Sequence, residues 1–123
     1  MKAASLIILL LMLSGCYRAE RDCAAYRTGH FQSIITIDGV EYISEFSRTD
    51  SLQVEVFEGR TDSSTLRWIN TCEVVFRTVN PKNRIEKKDI HLKILSTTDS
   101  SYVFEYNYVG EARKQKGIAK RID

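Results

Sequence analysis

The chain has 123 residues, with 18 Lys and Arg against 16 Asp and Glu, a formal charge of +2. So even a balance argues against a dedicated nucleic-acid binder, whose domain is usually strongly basic. A single proline and the lack of any low-complexity tract or internal repeat leave no proline-rich linker.

The first element is an export signal over residues 1–15. Lys2 supplies a positive start, and Ala3 to Met12 are free of charge. Ten residues of helix rise about 15 Å, half of a ~30 Å hydrocarbon layer, which suits a signal peptide and not a membrane span. Leu13-Ser14-Gly15-Cys16 closes the segment and resembles the lipobox of bacterial lipoprotein precursors at all four positions. That resemblance implies that Cys16 carries a thioether-linked diacylglycerol, that the signal is cut just before it, and that the new amine is acylated. Two or three acyl chains anchor a protein firmly, at ~0.8 kcal/mol per buried methylene. Residue 17 is Tyr and not the Asp that retains some Gram-negative lipoproteins in the inner membrane. The resemblance therefore implies the cell envelope, at the outer membrane facing the periplasm. An ordinary secretory signal with an incidental Cys16 is the alternative.

Three cysteines are an odd count. With Cys16 lipidated, Cys23 and Cys72 remain, and an oxidising compartment makes a disulfide between them the default. It would close a loop of about 50 residues, worth roughly 4 kcal/mol in the chain-entropy model. Two buried free thiols are the alternative. No C-x-x-C is present, and Cys23, His30, Cys72 and His91 lack finger-type spacing, so no redox motif and no metal site is expected. Residues 16–22 form a polar tether whose six residues between the cysteines reach about 20 Å. Residues 23–123 form a single domain, and the chain from Cys16 onward is close to neutral, with 17 Lys and Arg against 16 Asp and Glu.

Along that domain, short β-type runs alternate with turn signals. His30–Ile37 and Val40–Phe46 flank Asp38-Gly39, a strong hairpin signal. Arg48 to Ser51 read as a turn. Leu52, Val54 and Val56 then alternate with Gln53 and Glu55, a half-buried strand with its apolar residues inward. Gly59 to Ser63 read as a turn, Thr65–Ile69 and Cys72–Val79 as strands, and Asn80 to Asn83 as a loop. Arg84 to Asp89 fit a helical turn or more loop. Ile90, Leu92 and Ile94 alternate again, as do Tyr102, Phe104, Tyr106 and Tyr108, and Gly117–Ile122 form a closing strand. The domain is thus all-β, an antiparallel meander of seven to eight strands forming a small barrel or sandwich.

Tyr102, Phe104, Tyr106 and Tyr108 put four rings on one strand face. They read as core or as the wall of a ligand site. Trp68, four residues before Cys72, reads as a plug packed on the bridge, with a partner hot spot as the alternative. His30 and His91 stand alone, and no G-x-S-x-G, H-E-x-x-H or phosphate-binding glycine loop is present. Glu55, Asp62 and Glu105 occupy ordinary strand and turn positions. No catalytic residue and no cofactor is expected. Two basic stretches, Lys82 to Lys88 and Arg113 to Arg121, read as a solvated rim or as contacts to anionic head groups.

Cys23, Thr28-Gly29-x-Phe31, Arg48, Trp68-x-x-x-Cys72 and the terminal Tyr/Phe strand together resemble a group of small, uncharacterised lipid-anchored bacterial β-domains. No catalytic motif travels with that resemblance. Gly29-His30-Phe31 is also similar to the G-x-W signature of lipocalins, with Phe in place of Trp. The expectation is a non-enzymatic binding or structural role in the envelope, with the membrane reached through the N-terminal lipid and an envelope protein as partner. A lipocalin-like carrier of a small apolar ligand is the alternative. A carrier needs a lumen of several hundred Å³, whereas Phe31, Tyr42, Phe46, Phe57, Trp68 and Phe76 together would fill a barrel of this size.

Overall fold

The computed structural model describes residues 21–123. The signal segment, Cys16 and most of the tether lie outside the described residues. A 3-10 turn, Cys23–Tyr26, leads into eight strands: β1 Gly29–Ile37, β2 Val40–Arg48, β3 Leu52–Phe57, β4 Arg60–Asn70, β5 Glu73–Thr78, β6 Ile90–Thr97, β7 Ser101–Tyr108 and β8 Gln115–Arg121. Each strand pairs antiparallel with the next. The ring closes where β1 pairs with β8, from Phe31 opposite Arg121 to Ile35 opposite Gly117. The fold is therefore a closed barrel and not a sandwich, and closure leaves no unpaired edge.

The hairpins follow from local chemistry. Asp38 and Gly39 take φ of 52° and 78°, as a two-residue type I′ turn requires. Glu58 and Gly59 repeat the geometry at 49° and 77°. The turn expected over Gly59 to Ser63 is thus confined to Glu58-Gly59, and Arg60 already belongs to β4. The expected signal was obscured because Glu is not a usual first residue of such a turn, while Thr61 to Ser64 are polar enough to read as loop. Arg84 to Asp89 sit in a turn-rich connection between β5 and β6.

In a meander the odd connections share one end of the barrel and the even ones the other. The end holding the β2–β3, β4–β5 and β6–β7 turns also receives the 3-10 turn. There the core is tight: Cys23, Tyr26, Phe31, Phe46, Val74, Ile94 and Tyr102 are all buried. At the other end Tyr42 is 42% exposed, and Tyr106 and Tyr108 are half-buried. The barrel is closed at one end and open to solvent at the other.

Arg48 is not in a turn but ends β2, only 3% exposed. β3 does have period two, but with the opposite face inward. Leu52 and Val56 are 38% and 46% exposed, while Gln53 and Glu55 point into the lumen. The register explains it. Phe46 pairs with Glu55, and Glu55 with Asp62. The side chains of a cross-strand pair share a face, so the inward Phe46 carries both carboxylates inward with it.

Candidate ligand cavity

The closed end is built around a buried cation. Arg48 donates from Nε to Gln53 Oε1 at 2.9 Å, from Nη1 to the Tyr26 carbonyl at 3.0 Å and from Nη2 to the Tyr102 hydroxyl at 3.1 Å. Its guanidinium carbon lies 5.0 to 5.9 Å from the ring centres of Phe31, Phe46, Trp68, Phe76 and Tyr102. Among the described residues no carboxylate pairs with it. Neutral acceptors and ring faces replace a counter-ion. The Tyr102 phenol is pushed up from its ordinary value by burial, against the pull of the Arg48 charge.

Two further devices hold this floor. Cys23 and Cys72 are disulfide-bonded, with Cα atoms 5.2 Å apart. The bridge ties the 3-10 turn to the β4–β5 turn. Arg121, on β8, lies 4.9 Å from the Phe31 ring centre and 5.2 Å from that of Tyr26, and donates to the carbonyls of Ala25 and Thr28. Gly29 permits this approach: its φ is +139°, and a Cβ there would stand 2.3 Å from Arg121 Nη1.

Above the floor lies a cavity of about 300 Å³. Its two sides differ. β5, β6 and β7 supply Phe76, Ile90, Leu92, Tyr102, Phe104, Tyr106 and Tyr108; β3 and β4 supply Gln53, Glu55, Asp62 and Ser64. Ser33, Ile35 and Phe46 complete the ring. In the strand order, β3 and β4 stand four places from β7 and β8. The aromatic stripe of β7 therefore faces the acidic wall across the lumen. Gly117, on β8, keeps the space open. A Cβ there would come within 2.6 Å of Phe104 Cζ and 2.9 Å of Ile35 Cγ1, so a larger residue would push the Phe104 ring into the lumen.

The two carboxylates are not equivalent. Asp62 is paired with Arg60 at 3.1 Å, and Arg60 also reaches Glu86 in the β5–β6 connection. Glu55 accepts one hydrogen bond, from Ser44 Oγ to Oε2 at 3.2 Å, and no cation pairs with it among the described residues. Desolvation pushes its carboxyl above the ordinary range, the Ser44 bond lowers it less, and Asp62 raises it further. Tyr106 is raised too, chiefly by burial and in part by the Tyr108 and Glu55 charges.

The structure brings all four β7 rings to the cavity. Trp68 packs against the buried core below, under the Arg27 guanidinium at 5.2 Å, with its indole Nε1 buried and without an acceptor among the described residues. Tyr42 and Phe57 pair at the mouth, ring centres 6.3 Å apart, and do not fill the lumen. His30 and His91 point outward beside Glu45 and Glu73, at 3.9 and 3.0 Å. Both basic stretches are partly neutralised, by Lys88 with Glu111 and by Lys114 with Glu105. Sequence reasoning missed Glu55 and Asp62 as lining residues. The only available signal was that both flank a single hairpin, which makes them face each other across it.

Fold and site together define a small closed β-barrel with a plugged floor and an amphipathic cavity open at one end. No family model matches the sequence, and neither the curated proteins nor the solved structures give a match.

Proposed function

We propose that the chain is an envelope-tethered, non-enzymatic barrel that binds a small molecule in its lumen. The cavity carries this reading. About 300 Å³ lies at the lower end of the range for small-molecule sites. An apolar aromatic wall facing a few placed polar groups is the usual composition of such sites. A purely structural module would gain by filling the space, since apolar rings left facing a solvent-open lumen forgo burial. The polar wall also bears on the ligand. A wholly apolar carrier would not place Gln53, Glu55, Asp62 and Ser64 in its lumen, so an amphipathic ligand is favoured over an apolar one. The tether rests on Leu13-Ser14-Gly15-Cys16.

Each half has its own test. Metabolic labelling with a fatty acid should mark the wild type and leave Cys16→Ser uncleaved and unlabelled; equal incorporation in both would end the lipoprotein reading. For binding, amide shifts of the full chain should move at lining residues of β3 and β7 when a library of small amphipathic compounds is added. No shift at those strands with any compound would end the binding reading.

A further inference from the structure

We infer that the cavity takes a small organic cation, an ammonium whose charged head pairs with Glu55 and whose compact apolar body lies against the aromatic wall of β7. This rests on the binding reading above and names its ligand class. Glu55 Oε2 accepts from Ser44, but Oε1 accepts no hydrogen bond among the described residues. Glu55 is half-buried and lines the lumen, which leaves this oxygen for a ligand. A lone carboxylate oxygen in a partly desolvated lumen is a strong acceptor for an N⁺–H donor. Asp62 adds negative potential from the facing position of β4, although Arg60 already pairs with it. The rings of Phe104 and Tyr106, with centres 6.1 Å apart, line the opposite wall, and aromatic rings attract a cation as well as an apolar body.

The other ligand classes fit less well. A neutral apolar molecule would strip water from Glu55 and return no counter-charge. An anion would meet Glu55 and Asp62 first. The buried cation, Arg48, does not line the cavity; it lies beneath Phe46 and Tyr102 and is engaged by Tyr26, Gln53 and Tyr102, while Arg60 beside Asp62 and Lys88 over the Tyr108 ring are already paired with carboxylates. A bound ammonium also supplies the opposite charge that offsets the desolvation raising the Glu55 carboxyl.

The test uses three probes of one shape: 2-phenylethylamine, 2-phenylethanol and phenylacetate, titrated calorimetrically at neutral pH into the purified full chain. The amine should bind at least tenfold more tightly than the alcohol, and phenylacetate should not bind. In Glu55→Gln the amine should weaken tenfold or more while the alcohol stays within twofold. An alcohol that equals the amine, a preference for phenylacetate, or an amine affinity unchanged in Glu55→Gln would overturn the cation inference and leave a binding cavity standing. Failure of all three probes to bind would overturn both. The wild-type comparison decides even if Glu55→Gln does not fold.

Discussion

Arg48 and Tyr102 meet at 3.1 Å across 54 residues of sequence, from the last position of β2 to the second of β7. The bond joins strands three places apart around the barrel and sits where both groups are buried. Truncating the phenol leaves a guanidinium N–H without an acceptor. Tyr102→Phe should therefore lose about 1 to 3 kcal/mol in urea unfolding. In a double-mutant cycle with Arg48→Met, the pair should show coupling of about 1 kcal/mol or more, since contacting residues are rarely additive. Simple additivity would mean that the bond contributes nothing to the floor.

Glu55 sets a pH dependence with a definite sign. Its carboxyl is raised above the ordinary 4.5, chiefly by desolvation. The folded chain therefore holds this proton more tightly than the unfolded chain, and this group's share of stability grows as pH falls from the raised value toward 4.5. Gln at this position stays neutral throughout. Glu55→Gln should melt above the wild type at neutral pH, and the gap should close as pH falls toward 4.5. Melting curves across pH 4 to 8 check it. A gap that is constant with pH would show that the carboxyl is not desolvated.

The Cys23–Cys72 bridge spans 49 residues and ties the plug to the barrel. Replacing both by Ser should cost roughly 4 kcal/mol in the chain-entropy model. The 3-10 turn should also loosen before the strands do. Hydrogen exchange would show early loss of protection at Arg27, whose N–H bonds the Ala24 carbonyl, while β6 and β7 stay protected. Uniform loss would place the bridge's effect in the whole barrel.

Trp68 should act through stability. Its ring packs on the floor cluster, so Trp68→Ala should cost about 3 kcal/mol, the lower end for a truncated large aromatic because the ring is only partly buried. Trp68→Phe should cost less, because it also removes an indole N–H that has no acceptor. Thermal melts of the two variants decide the order. By contrast, replacing His30 and His91 together by Gln should leave the fold and probe binding intact, since both sit outside the lumen.

Much of the fold was legible because the barrel uses local signals. Asp38-Gly39 marks its hairpin, and the aromatic alternation on β7 marks its inward face, since both depend on residues within a few positions. Arg48 and Glu55 were not legible for the opposite reason. An arginine at a strand end reads as a turn residue until the 3-10 turn brings the Tyr26 carbonyl to it from 22 residues away. On β3, the more apolar face lies outside, so hydrophobicity points the wrong way. Only the register of β2 against β3 turns Glu55 inward, and register is a non-local property. The cavity followed the same logic. Of the rings expected to fill the lumen, Phe31 and Trp68 lie below it, Tyr42 and Phe57 stand at its mouth, and Phe46 and Phe76 line its wall, which the periodicity of single strands does not reveal.

A small molecule held in the lumen should be visible by native mass spectrometry of the full chain, isolated gently from its own cells. The spectrum should show a discrete mass excess that is lost on activation and that is missing from a Ser64→Phe variant that melts normally but fills the cavity from β4. A bare wild-type mass that no amphipathic probe shifts, or an excess that survives unchanged in Ser64→Phe, would contradict it.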